Sequence, residues 1–561
     1  MNTKLHSLLR RLRPWAFPAV AWLILSLMSM WLCHCNWEIR PLMCLTDGLC
    51  LMLPWLLLPP RWRGWWWLLP SIYTISLAAN LLYGKFFFQI IPIELLFSDV
   101  WMNDYVLSRS ILEFEVTSLL PVGGLSLLVA FWLVLRRSQP TYTLKLNTLT
   151  LCFVVVALLG AHTMQSVRIH YYRPQMTMRE CLADSFSLHK LYKDDIIRHG
   201  YVLAYTFHFF EKIMCNHQFS LDDNELLRKI ETAPRGELPA ELAEAFAANR
   251  HKSLICIVVE SLDTDALGRT VGGVRVTPTL DSLAADTSVI ALTNIKHQIG
   301  LGHSSDGHVI TFGGLMRCDQ CPITFVNHKA ALPSIFHALN FEHNFAIIGE
   351  GRAVWNAGRY LPALGFKSIC DDISSLGQGT GDKAIFDAAF EVIKNSQRPF
   401  CAMVSTISMH GPYVPKNTPV TAISRSGELD SKLSYYLERT HFFDTCLANF
   451  LQQLKEADIY QQSVVLIVAD HNSELHWDTF IPMFILNAGV PHRITADRAL
   501  TQLDIYPTLL DVMGMANSDY WLGMGQSALR PGLPPLTDDE LHQRSVLSQR
   551  LLQTDYFRTT P

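Results

Sequence analysis

Five long apolar runs crowd the first third of the chain, and nothing else in the sequence constrains its fold as strongly. They are Trp15 to Cys33, Pro41 to Leu58, Trp65 to Tyr83, Ser118 to Leu135 and Leu146 to Met164. Each has roughly the 18 to 20 residues that cross a hydrocarbon core about 30 Å thick. The second contains Asp47, Gly48 and Pro54, a pattern that also suits a re-entrant hairpin. Further runs follow the first at once, so it reads as a span and not as a cleaved signal peptide. Basic residues orient the set. Lys4, Arg10, Arg11 and Arg13 precede the first run, Arg61 and Arg63 separate the second from the third, and Arg136, Arg137 and Lys145 separate the fourth from the fifth. All three clusters fall on one side, which the positive-inside rule makes cytoplasmic. The loop from Gly84 to Thr117 sets Glu94, Asp99, Asp104, Glu113 and Glu115 against Lys85 and Arg109, as an outer loop would. The expectation is a cytoplasmic N-terminus, five helices, and an extracytoplasmic remainder.

Charge thickens after about residue 168, although the whole chain is 49% hydrophobic and 17% charged. At 561 residues it must form at least two units. A net charge of -4 and a pI near 6.6 exclude an extended basic surface for nucleic acid. The 13 cysteines are scattered and make no disulfide framework. Cys256 and Cys401 lie in apolar runs and read as core residues. Cys318 and Cys321, in CDQC, are spaced to close a local disulfide outside the cytoplasm, and no second CxxC completes a zinc site.

The expected division is a membrane domain over 1–167, a helical connector over 168–250, a catalytic domain over 251–530 and a polar, peripheral tail over 531–561. Within the connector, Asp184 to Ile213 mixes aromatic and aliphatic residues with charges. It fits a helix along a membrane surface, or one packed on the catalytic domain. From Ser253 the pattern alternates between strands and helices. Near-continuous apolar runs at Leu254 to Ser261, Phe345 to Gly349, Phe400 to Ser408, Ser463 to Asp470 and Ile481 to Leu486 read as strands covered on both faces. Between them, Leu433 to Ala457 carries a helical stripe of Tyr436, Leu437, Thr440, Phe443, Leu447 and Phe450. The fold class is therefore a membrane-anchored α/β protein, a mixed or parallel sheet sandwiched by helices.

Two of the strand runs end in acids, Glu260 after LICIVV and Asp470 with His471 after SVVLIVA, at the strand ends where α/β sheets bind ligands. With the glycine-flanked GHSSD at 302–306 they supply two carboxylates, an imidazole and hydroxyls, a set able to hold a divalent cation beside a serine and so activate a weak nucleophile. Asp306 reads as a cap for the helix that the motif opens.

The ordered motifs VVESL, VTPTLDSLA, GHSSD, VWN, SMHGPY, VADH and DIYPTLL resemble the alkaline-phosphatase and sulfatase superfamily, and within it the lipoteichoic acid synthase-like phosphotransferases, including phosphoglycerol transferases of bacterial envelopes. The resemblance implies a multi-pass bacterial inner-membrane protein with a periplasmic or otherwise extracytoplasmic catalytic domain of sulfatase-like α/β sandwich fold. It implies one divalent ion, manganese, zinc or magnesium, held by Glu260, Ser304, Asp470 and His471. Ser304 takes the place of the nucleophile, usually threonine in a GKTSD-like context. His410 matches a histidine that contacts the substrate phosphate and exchanges protons. Trp355 and Asn356 match a pair lining the headgroup pocket. The arginine expected directly after them is Ala357 here, with Arg359 or Arg352 as substitutes, and His476 matches a further histidine. The implied reaction transfers a phospholipid headgroup, phosphoglycerol or phosphoethanolamine, through a phosphoserine to an envelope glycan or lipid acceptor. Phosphoethanolamine transferases share HGPY. A phosphodiesterase or sulfatase-type hydrolase is the rival activity, and a non-catalytic envelope sensor the rival class. Formylglycine chemistry is disfavoured: the C/S-x-P-x-R signature would need Pro and Arg where Ser304 is followed by Asp306 and His308, and Ser305 by Gly307 and Val309.

Overall fold

Strands of unbroken apolar sequence have no face to show to water, and the protein places them in the centre of its sheet. The computed structural model describes residues 15–36, 41–87, 91, 116–135 and parts of 155–214. It also describes 221–559, apart from breaks at 319–321, 327–329, 350, 353, 372–380, 416–417, 474, 476–478 and 517. Two units emerge, Met1–Asn216 and His217–Pro561.

In the second unit we number the sheet strands β1 (Ser253–Val259), β2 (Ile290–Lys296), β3 (His343–Ile348), β4 (Ser368–Cys370), β5 (Phe400–Ser405), β6 (Ser463–Ala469), β7 (Ile481–Leu486) and β8 (Leu500–Thr501). Their order across the sheet is β8-β2-β7-β6-β1-β5-β3-β4. β1 pairs in parallel with β5 and β6, and β7 runs antiparallel to both neighbours, β6 and β2. All residues of β1, β6 and β7 are buried. The five expected strands are all present. β2, β4 and β8 were not foreseen. β2 alternates buried and exposed residues and its register slips between Leu292 and Ile295, while β4 and β8 are too short to show a period.

Three helices of this unit bear on the site: α6 (Ser304–Gly313), α7 (Asp382–Lys394) and α8 (Ser431–Glu456). α6 is buried along its whole length, its polar Ser304, Ser305, Asp306, His308 and Thr311 included. The C-terminal segment differs from the expectation of a peripheral tail. Helix α9 (Asp538–Gln553), closed at its start by a reciprocal Thr537–Glu540 capping box, adds Leu547, Leu551 and Leu552 to the same hydrophobic core as the sheet. Its apolar residues form one narrow stripe in a largely polar segment, so composition hides it.

In the first unit the helices are α1 (Ala16–Asn36), α2 (Pro41–Leu57), α3 (Leu68–Phe87), α4 (Leu120–Leu135) and α5 (Tyr201–Met214). The third apolar run starts as a tight 3-10 turn, Pro60–Trp67, before α3 begins. Phe17, Trp55, Trp66 and Leu77 form the centre of a separate core. Among the described residues, Ala16–Cys33 and Val116–Leu135 are long and apolar enough to cross a membrane, and Pro41–Leu57 and Val155–Val167 are shorter apolar helices. Residues 146–154 of the fifth run, most of the acidic 84–117 loop, residues 184–195 and the basic Arg136, Arg137 and Lys145 lie outside the described residues. Of the two placements open to the connector helix, α5 groups with this unit, where it packs against α2.

Candidate active site

Three adjacent parallel strands, β5, β1 and β6, deliver their following residues to one edge of the sheet. There the Glu260 N–H donates to Thr406 Oγ1 at 3.0 Å, and the Asp470 N–H to the Val259 carbonyl at 3.1 Å. Ser261 adopts a left-handed conformation, φ 53°, costly for a non-glycine residue and common at functional sites. It ties both carboxylates together: its Oγ donates to Glu260 Oε1 at 2.5 Å and its N–H to Asp470 Oδ1 at 2.9 Å.

α6 enters from the glycine loop. Ser304 Oγ lies 3.3 Å from Glu260 Oε2 and 3.5 Å from His471 Nε2. Its neighbour faces elsewhere: Ser305 Oγ donates to the Gly302 carbonyl at 2.8 Å. His471 Nε2 is 3.5 Å from Glu260 Oε1 and 3.6 Å from Asp470 Oδ2. Donor atoms of Glu260, Asp470 and His471 all lie within 4.8 Å of one another. Burial first, and then the charge of Glu260, push the Asp470 carboxyl above the usual range, a crowding that a cation relieves. His471 Nδ1 faces the Asn472 carbonyl at 2.7 Å, so the proton sits there and the Nε2 lone pair points into the cluster, as a metal ligand requires. These residues fit a divalent ion, and two oxygens with one imidazole suit manganese, zinc or magnesium.

Asp306 does not cap the helix as expected. Its Oδ2 accepts the N–H groups of Gly300 and Gly302 at 2.9 and 3.0 Å, and its Oδ1 that of Ile323 at 2.9 Å. The acid therefore shapes the glycine loop before α6 and ties it to the segment after it. One turn beyond Ser304, His308 meets the Tyr360 hydroxyl through Nδ1 at 2.8 Å. Burial drives its imidazole down to about 4, so it is neutral.

The expected headgroup residues are less uniformly placed. Trp355 and Asn356 form a turn with both residues left-handed, at φ 48° and 66°. The Trp355 ring centroid is 5.8 Å from that of His303, which in turn is 5.8 Å from that of His471, so Trp355 joins the cluster through His303. Asn356 is buried and donates from Nδ2 to the Thr324 carbonyl at 3.3 Å. Arg359 is exposed. Arg352 is engaged by Asp371, from Nε to Oδ2 at 2.9 Å and from Nη2 to Oδ1 at 2.5 Å. His410 follows β5, its Nδ1 2.6 Å from the Gly411 carbonyl. Its own carbonyl accepts from Arg439 Nη1 of α8 at 2.7 Å. His476 and Cys321 lie outside the described residues.

Ser261 and His303 lie inside VVESL and GHSSD without a role of their own assigned there, and Arg439 and Asp382 lie in no motif. Arg439 left one trace, a cation beside the apolar stripe of α8. Asp382, the first residue of α7, accepts the N–H groups of Ile407 and Ser408 on Oδ1 at 2.8 and 2.9 Å, and so holds the turn that carries His410. Burial pushes its carboxyl up to about 6. The folded state therefore binds this proton more tightly than the unfolded chain does. The resulting stability is full below the ordinary carboxylate range and is lost as pH rises to about 6. Asp382→Asn is expected to flatten the fall of the unfolding midpoint across that window, a difference on the order of 2 kcal/mol, read by thermal unfolding of the full chain across pH. An unchanged slope refutes it.

Residues 252–515 match the Sulfatase family model. Lipoteichoic acid synthase 2 of Bacillus subtilis is 24% identical over 380 residues, which cover 61% of this chain and 56% of that protein. The chain spans about half the length of the curated relatives it matches. Among solved structures, a lipoteichoic acid synthase from Listeria monocytogenes aligns at TM-score 0.49 and 19% identity, covering 60% of this chain and 98% of that one. The Streptococcus pyogenes phosphoglycerol transferase GacH, solved with sn-glycerol-1-phosphate, aligns at TM-score 0.40 and 16% identity, covering 60% and 90%.

Proposed function

The second unit of this chain carries a sulfatase-family domain of the alkaline-phosphatase superfamily, similar to lipoteichoic acid synthases, and from that premise we propose that the protein is a membrane phosphotransferase. It moves the phosphate-linked headgroup of a phospholipid, phosphoglycerol or phosphoethanolamine, through Ser304 to a hydroxyl of an envelope glycan or lipid. The observation that carries this reading is the division between adjacent serines: Ser304 turns its hydroxyl to Glu260 and His471, whereas Ser305 gives its proton to a backbone carbonyl.

In the first step Ser304 Oγ bonds to phosphorus and the bond to the diacylglycerol oxygen breaks; the serine proton leaves and the departing alkoxide gains one. In the second step the acceptor oxygen bonds to phosphorus, the Oγ–P bond breaks and Ser304 recovers a proton. Ser304 is the first residue of α6, at the positive end of the helix dipole, which favours the phosphate charge. With Nδ1 turned to the Gly411 carbonyl, His410 offers Nε2 to exchange these protons. Trp355, Asn356 and Arg359 are assigned to the headgroup, as is His476 on the resemblance alone. Glu260, Asp470 and His471, with the Ser304 oxygen, would hold a divalent ion, which would activate the hydroxyl and neutralise charge at phosphorus.

Five spans with a cytoplasmic N-terminus, in a bacterial inner membrane, hold this domain on the extracytoplasmic side, beside its lipid donor. The test is the intact mass of the full chain after incubation with phosphatidylglycerol or phosphatidylethanolamine without acceptor. A phosphoglycerol or phosphoethanolamine adduct on a peptide containing Ser304 is expected, and its identity names the donor. Turnover with no adduct on that serine refutes the covalent route.

A further inference from the structure

The reaction makes no use of Asp47, a fully buried acid inside α2. Every bond it makes explains why it is there. Its Oδ2 accepts the N–H of Tyr201 at 3.0 Å and its Oδ1 that of Val202 at 2.8 Å, and the Ser29 hydroxyl of α1 donates to Oδ2 as well. Tyr201 and Val202 open α5, so Asp47 is an N-cap supplied by a different helix. Gly200 permits the approach: its φ is +84°, and a Cβ there would stand 2.7 Å from Asp47 Oδ1 and 2.9 Å from the Met43 carbonyl.

The same side of α5 is fastened further along. Tyr201 Oη accepts from Asn80 Nδ2 of α3 at 2.8 Å and also bonds to Ser76. Tyr205 Oη donates to the Ile91 carbonyl at 2.7 Å and lies 3.1 Å from Asn80 Oδ1. The other side is apolar. Phe207 and Phe210 are 38% and 55% exposed. A helix in water turns its apolar stripe inward and its polar groups outward; α5 does the reverse.

Depth follows from register. α2 begins at Pro41, and Asp47 stands six residues further on (47 − 41), about 9 Å along the axis. The first turn of α5 is therefore held well inside the length of an apolar helix. Exposed Ile72 and Ile75 on α3 and Leu23 and Leu27 on α1 give the same unit a broad apolar exterior. We propose that α5 lies in the bilayer interface, with Phe207 and Phe210 among lipid acyl chains, and that Asp47 is the cap that fixes it at that depth. Aromatic side chains favour this zone, and a membrane acid whose oxygens are all bonded carries little of the usual burial penalty. This assignment does not rest on the transfer reaction.

The test uses the full chain in phosphatidylcholine–phosphatidylglycerol vesicles that contain radiolabelled phosphatidylcholine. A benzophenone amino acid is placed at Phe210, or at Lys383, a largely exposed residue of α7. Irradiation is expected to attach labelled lipid at position 210 and none at 383. Asp47→Asn, which keeps one acceptor oxygen, retains the adduct, and Asp47→Ala loses most of it. A chain–chain crosslink in place of lipid at 210, no adduct there, or equal labelling in Asp47→Ala each overturns the proposal.

Discussion

Replacing Ser304 with alanine is expected to lower headgroup transfer by at least about 10⁴-fold while leaving the unfolding midpoint near that of the parent chain, because removing a nucleophile removes the covalent route altogether. The hydroxyl makes long contacts, 3.3 and 3.5 Å, to Glu260 and His471, and no backbone group depends on it, so its loss costs little folding energy. Ser304→Thr retains the attacking oxygen and adds a methyl. It is expected to keep activity within roughly ten-fold, since overpacking by one methyl costs about 1 kcal/mol at a site that can adjust. A Ser304→Ala chain that still transfers at the parental rate would remove the serine from the mechanism. Loss of transfer in Ser305→Ala alone would move the role to its neighbour.

Gly307→Ala should damage both stability and activity, against the usual helical trend. Alanine inside a helix is ordinarily favoured over glycine by up to about 1 kcal/mol. Here a Cβ at 307 would lie 2.5 Å from the Asp470 carbonyl oxygen and 3.1 Å from its carbon. That carbonyl cannot retreat freely, because Gln502 Nε2 already donates to it at 2.7 Å, and Gln502 Oε1 in turn accepts the Gln298 N–H at 3.0 Å. The clash decides the sign: a net loss of about 1 to 3 kcal/mol is expected. Relief requires α6 and the strand end to part. Ser304 then moves away from Asp470 and His471, and a displacement of about 1 Å costs on the order of 10²-fold in rate. The measurement pairs an unfolding midpoint with initial transfer rates; a Gly307→Ala chain as stable and as fast as the parent refutes the close approach.

What the sequence revealed and what it hid divide along physical lines. Strands buried on both faces, such as LICIVV and SVVLIVA, announce themselves because every position must be apolar, and the acids that end them stand out by contrast. The two-residue β8 is too short to show a period, and the bulge in β2 interrupts its alternation. Ser261 is expected as the last residue of the first strand, and neither its left-handed backbone nor its two bonds to the carboxylates can be read from its type. The role of Asp306 was misread for a related reason. A carboxylate at the start of a helix usually caps that helix, but at 306 the helix is wholly buried and the open N–H groups belong to the glycine loop. Asp47 was conspicuous as an acid in an apolar run, yet the helix it caps lies more than a hundred residues away.

The geometry of the turn at Trp355 and Asn356 bears on how such a site changes over generations. Glu260 and Asp470 are buried at strand ends, where substitutions disturb the sheet. Trp355 and Asn356, which the proposed function assigns to headgroup recognition, occupy one short left-handed turn, and the exposed Arg359 follows it. On the proposed function, preference for one lipid donor over another can therefore drift by rewriting few positions, the exposed Arg359 first among them, at little risk to the reaction chemistry. On that reading a lineage can change its donor while its catalytic core stands still.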